Sequence, residues 1–300
     1  MSIYTGIGVA LCTPFDNQGA FNGTEYERLI DFQAEKGTDA IVSCGTTGEA
    51  STLKIDEHIE VVRTAVLAAK KAGGKHGRKL PVIAGAGGND TDDCISLGKS
   101  LQQAGADALM YVTPYYNKTS QRGLVEHYTK IAASVDLPIV VYNVPSRTGL
   151  NMQPKTLAQL AKLPNIQAVK EASNDINQIA EVFELCGDNL DVYVGNDSEI
   201  LVTLALGGKG VISTMGNIAP DTIRRIVTAF FEGKLEESRK LQLKILPMTR
   251  LLFTDVNPMP VKAALRMMGF DVGQCRLPLV DIEPELAGKL REAMKGFGMI

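Results

Sequence analysis

Eight short apolar segments, each followed by a longer stretch with helical periodicity, constrain this chain more than any other feature. The segments are residues 8–12, 40–43, 81–84, 108–112, 139–142, 167–170, 192–194 and 211–213. They are continuous apolar runs rather than strict alternations, which suits parallel strands buried on both faces. The stretches between them carry helical stripes. Leu124, Tyr128, Ile131, Ala132 and Val135 form one; Ile176, Ile179, Ala180 and Phe183 a second; Ile223, Ile226, Val227, Phe230 and Phe231 a third. In that third stretch Asp221 follows Pro220 at the helix start and Gly233 lies just past its end.

Eight strand–helix units predict an α/β fold, a (β/α)8 TIM barrel, over residues 1–231. A doubly wound open sheet is the alternative. It normally carries a glycine-rich dinucleotide turn after its first strand, whereas here Thr13-Pro14-Phe15 follows. Residues 232–300 predict a C-terminal helical extension of two or three helices, the first kinked at Pro247. At 300 residues the chain is long enough for one large barrel. The polar run 73–79 reads as a solvated loop at the bottom of the barrel.

Charge and composition narrow the function. There are 31 Lys and Arg against 34 Asp and Glu, with no long run of one sign, so no basic stripe for nucleic acid is present. No apolar run approaches a membrane span, and residues 1–6 lack the pattern of a signal peptide, so a cytoplasmic location is expected. The five cysteines are scattered without a CxxC, which disfavours both a disulfide framework and a zinc site. His58, His76 and His127 are the only histidines and stand apart, so no metal cage is expected and proton transfer falls to other groups.

A barrel builds its active site at the C-terminal ends of its strands. Lys170 closes the apolar run Ile166-Gln167-Ala168-Val169. A lysine held there is partly desolvated, which favours the neutral amine, and such an amine can attack a ketone to form an imine. The plainer alternative is an ion pair with Glu171 or another carboxylate. Gly45-Thr46-Thr47-Gly48-Glu49 brings two hydroxyls and glycine-freed amides that can hold a carboxylate. The same residues also read as a capping box, with Thr46 and Glu49 in T-x-x-E spacing. In 142–149, Tyr142 offers a phenol for proton relay and Arg147 a planar fork for a carboxylate. The alternative there is a packing aromatic and a surface arginine. Tyr115-Tyr116 is similarly ambiguous. Gly207-Gly208-Lys209-Gly210 precedes the last strand and belongs at the opposite face.

Taken together and in order, these motifs resemble the pyruvate-dependent class I aldolases of N-acetylneuraminate lyase type, and within them the dihydrodipicolinate synthase family. The resemblance runs from about Gly6 through Pro278. It rests on Thr13-Pro14, GTTGE at 45–49, TPYYN at 113–117, YNVPSRTG at 142–149, VKEAS at 169–173, GGKGVIS at 207–213 and NPMPVK at 257–262. It implies a lyase that joins pyruvate to L-aspartate 4-semialdehyde through a Schiff base, giving 4-hydroxy-tetrahydrodipicolinate for lysine and diaminopimelate biosynthesis, without metal or organic cofactor. By the same resemblance, Lys170 forms the imine and Tyr142 relays protons. Thr46 links Tyr142 to Tyr116, which arrives from a neighbouring subunit. Thr47 helps hold the pyruvate carboxylate, Arg147 binds that of the semialdehyde, and the backbone at Gly195 and Ile212 lines the site.

The resemblance further implies a homotetramer of two tight dimers. Members inhibited by L-lysine bind it at the dimer interface, and the matching positions are Ser51, His58, Gly85, Asn89, Asp93 and Tyr115. Asp93 departs from the usual glutamate. Arg147 separates the chain from the sialic-acid lyases, whose pattern reads GSTGE and usually lacks the arginine. A 2-keto-3-deoxy sugar acid aldolase and a catalytically silent keto-acid-binding barrel remain the competing readings.

Overall fold

The computed structural model describes residues 2–300. Eight parallel strands close into a barrel in sequence order, the last pairing with the first. β1 (Gly6–Ala10) leads to α1 (Gly23–Glu35), β2 (Ala40–Ser43) to α2 (Ile55–Lys75), β3 (Val82–Gly85) to α3 (Thr91–Gln103), and β4 (Ala108–Val112) to α4 (Gln121–Ala132). β5 (Ile139–Asn143) is followed by a single turn, α5 (Pro145–Thr148), and by α6 (Pro154–Leu160). β6 (Ile166–Glu171) leads to α7 (Ile176–Cys186), β7 (Asp191–Val194) to α8 (Ile200–Ala205), and β8 (Gly210–Ser213) to α9 (Pro220–Phe231). Three helices follow: α10 (Leu235–Leu252), α11 (Met259–Met267) and α12 (Pro284–Phe297).

Local chemistry sets the helix starts. Asn22, Asp90, Ser120 and Asp175 each accept a backbone N–H of the first turn. Pro220 opens α9, and Gly233 past its end takes φ +75°. The strands are buried on both faces because their side chains alternate between two apolar sets. Val42, Ile83, Met110, Val140, Ala168, Tyr193 and Ile212 point into the barrel. Ile7, Ile41, Leu109, Val141, Val169 and Val211 pack outward under the helices. Tyr4 plugs the bottom of the barrel, stacked on Tyr193 with ring centroids 4.3 Å apart, and its hydroxyl donates to the Val211 carbonyl.

Several expectations need correcting. β1 lies two residues earlier than the apolar run suggested, because the amide of Cys12 is taken by the Asn217 side chain instead of a strand. Residues 73–75 belong to α2, where Gly73 is buried. Arg78, beyond them, is no solvated loop residue: it donates to the carbonyls of Thr38 and Ala34. Ile176 and Phe231 fall outside the buried stripes and are about half exposed. No helix among the described residues is long and apolar enough to cross a membrane.

Candidate active site

A cleft of about 850 Å³ opens at the C-terminal ends of the strands. Lys170, Tyr142, Thr46, Thr47, Arg147 and Gly195 all line it. Lys170 and Tyr142 are register partners on neighbouring strands and both point inward. The Lys170 ammonium nitrogen stands 4.3 Å from the centre of the Tyr142 ring, with only 5% of the residue exposed. Gly195, at the end of β7, makes that placement possible. A Cβ there would sit 3.0 Å from Cε of Lys170 and 2.8 Å from Cβ of Ala172.

The expected ion pair of Lys170 with Glu171 fails on strand geometry. Glu171 is the next residue and so faces the other side of the sheet. There its buried carboxylate accepts from Asn143 at 3.2 Å and from the Ser173 amide at 2.8 Å. Burial holds that carboxyl above its ordinary range, against these donors.

The capping box fails as well. Glu49 caps no helix with its side chain and takes φ +54°. Its carboxylate makes a fully buried ion pair with Lys262 of α11 at 2.6 Å and accepts the Arg276 amide at 2.8 Å. The loop carrying Thr46 and Thr47 is thus gripped by the C-terminal extension. Thr13 adds a further hold, donating to the Gly48 carbonyl at 2.7 Å.

Asp197 and Asn257, which the sequence places at a strand end and at the start of the NPMPVK motif without giving either a role, both stand in the cleft wall. Asp197 is buried and accepts from the Ser213 hydroxyl and from the amides of Thr214 (3.2 Å) and Met215 (2.9 Å). Burial keeps its carboxyl above the ordinary range in spite of them. Asn257 donates from Nδ2 to the Thr47 hydroxyl at 3.0 Å, and its backbone carbonyl accepts from Arg147 at 3.3 Å. The signal available was Asn257 itself, the first residue of the NPMPVK motif.

Two expected site residues stand apart from this cleft. Ile212 is fully buried inside the barrel. Tyr116 is 91% exposed, on a left-handed backbone with φ +71°. Of the residues matched to an inhibitor site, Ser51, His58, Gly85 and Tyr115 line a second cleft of about 410 Å³. Thr46, Tyr142 and Arg147 line it too, so the two clefts share a wall. His58 is buried there and donates from Nε2 to the Gly85 carbonyl at 2.8 Å. Asn89 holds the Tyr115 carbonyl from outside at 3.2 Å, and Asp93 stands in the first turn of α3.

An inward lysine against a tyrosine ring, two threonines and an arginine at one barrel mouth bring together the groups that imine formation and carboxylate binding need. Known proteins share the whole frame. The 4-hydroxy-tetrahydrodipicolinate synthase of Caldicellulosiruptor bescii is 50% identical over 299 residues, covering 100% of this chain and 99% of that protein. The dihydrodipicolinate synthase of Thermotoga maritima superposes with a TM-score of 0.95 at 40% identity over 100% of both chains. The lysine-bound enzyme of Cyanidioschyzon merolae gives a TM-score of 0.94 at 38% identity, again over 100% of both. With the family model matching residues 3–296, the chain belongs to the dihydrodipicolinate synthetase family.

Proposed function

We infer that this chain condenses pyruvate with L-aspartate 4-semialdehyde to give 4-hydroxy-tetrahydrodipicolinate, as a lyase of the class I aldolase type. Relatives carrying that name match over its full length. The observation that carries the reading is Lys170, inward, nearly buried and against the Tyr142 ring, in a cleft that Thr47 and Arg147 also line. The Lys170 amine adds to the pyruvate ketone, and loss of water leaves a protonated imine. The imine nitrogen accepts electrons, so a methyl proton of pyruvate becomes acidic and its removal gives an enamine. Tyr142, with Thr46, moves these protons. The enamine carbon attacks the aldehyde, whose oxygen takes a proton. The amine of the semialdehyde then attacks the imine carbon and expels Lys170, closing the ring. Thr47 holds one carboxylate and Arg147 the other.

The sugar-acid aldolase and silent-barrel readings draw support from no observation. A homotetramer is supported by the outward Tyr116 and by exposed Ile176, Leu185, Val202 and Leu206 on and beside α7 and α8. L-lysine, as an inhibitor, has its place in the second cleft, beside His58 and Tyr115.

The test is turnover of both substrates coupled to the downstream NADPH-dependent reductase, for wild type and Lys170→Ala. Turnover that disappears in the folded variant supports the reading. A folded wild type without turnover sinks it.

A further inference from the structure

The C-terminal extension reaches the active site through one side chain. We infer that Asn257 is a positioning residue that aims the Thr47 hydroxyl proton at the pyruvate carboxylate; this rests on the reading of Thr47 as a carboxylate ligand. A threonine hydroxyl has one proton to give and can accept at its oxygen. The Asn257 amide donates to that oxygen at 3.0 Å, so the hydroxyl proton cannot be spent on Asn257. Thr47 donates to no other protein group among the described residues, and it lines the cleft. An anion entering there meets a donor whose polarity is already set.

The backbone around Asn257 is held on both sides, and its side-chain Oδ1 is buried without a hydrogen-bond partner. Two residues along the loop from Thr47, Glu49 is clamped by Lys262, which lies in α11 five residues on from Asn257. The amide of Lys262 also donates to the Pro258 carbonyl at 2.9 Å. Loop and extension are therefore joined at two neighbouring points. The Asn257 side chain serves Thr47, while its backbone carbonyl serves Arg147. A substitution of the side chain removes the first contact and leaves the second.

Asn257→Ala and Asn257→Asp separate this role from simple support. The aspartate keeps the shape but has no N–H, so the Thr47 hydroxyl must turn toward it and away from substrate. Loss of one hydrogen bond to a charged group predicts a pyruvate KM raised about tenfold in the alanine variant, and more in the aspartate variant. The semialdehyde KM stays within about twofold, and the loss falls on KM for pyruvate more than on kcat. In a Thr47→Val background, Asn257→Ala raises the pyruvate KM no further.

Equal rises in both KM values, or an undiminished effect of Asn257→Ala in the Thr47→Val protein, overturn the inference. If the alanine variant does not fold, the near-isosteric aspartate variant gives the same reading. Borohydride trapping of the pyruvate imine, titrated with pyruvate, reads the same half-saturation without the second substrate. A wild type that traps pyruvate but does not turn over the semialdehyde loses the proposed function and still tests Asn257. A wild type that traps nothing overturns both.

Discussion

The Lys170 nitrogen lies 4.3 Å from the centre of the Tyr142 ring, the two residues facing each other across β5 and β6. The ring packs against the end of the Lys170 side chain and fixes where its nitrogen stands in a nearly buried place. Its hydroxyl is separately available for proton transfer. Tyr142→Phe keeps the ring and removes only the hydroxyl. Overall turnover should then fall by a factor of about 10² to 10⁴, while borohydride still traps pyruvate on Lys170 over longer times. Full turnover in the phenylalanine variant would remove Tyr142 from the proton path.

The Glu49–Lys262 pair makes a prediction about stability. Both side chains are buried, so removing one partner strands the other charge. Lys262→Met should cost about 3–5 kcal/mol in urea unfolding. Lys262→Met with Glu49→Leu should recover much of that loss, because an apolar pair leaves no buried charge. If the single variant unfolds like wild type, the pair does not hold the loop.

His58 gives a pH prediction with a definite sign. Burial lowers its folded-state pKa, with the Gly85 hydrogen bond only partly opposing. The unfolded chain therefore binds a proton, below about pH 6.5, that the folded chain resists. The stabilising contribution is complete above that value and is lost as pH falls below it. His127 shifts the same way, whereas Asp197 and Glu171, raised by burial, act in the opposite sense. The wild-type profile alone thus mixes signs. The difference between wild type and His58→Gln isolates the residue: the wild-type advantage should shrink on acidification by at most about 1.4 kcal/mol per pH unit. A constant difference would mean that His58 does not titrate against folding.

The barrel was legible because buried parallel strands leave an unmistakable trace, apolar on both faces and regularly spaced. Lys170 was legible for the same reason, as a charge closing such a run. What local spacing hid were contacts made across the chain. Glu49 satisfied the T-x-x-E pattern, yet its partner is Lys262 in the extension. Asn257 meets Thr47 from 210 residues away. Asp197 stood at a strand end with no role that local sequence could assign, because its partners, Ser213 and two amides, come from the next strand and the turn after it. Periodicity also could not tell the buried Ile179 from the half-exposed Ile176 on one helix, since the apolar stripe is wider than the face that packs against the barrel.

Tyr116 supplies the test of assembly. Its side chain is 91% exposed and does not line its own chain's cleft, so a catalytic role requires delivery to a second copy. In a two-fold dimer such delivery is reciprocal. Lys170→Ala subunits keep Tyr116 but lack the nucleophile; Tyr116→Phe subunits keep Lys170 but deliver no phenolic hydroxyl. Each variant alone should be nearly inactive. When the two are unfolded, mixed in equal amounts and refolded, half of the dimers are hybrids with one complete site in two. Activity should then return to about a quarter of wild type. Were Tyr116 to act within its own chain, no hybrid would contain a complete site, and mixing would restore nothing.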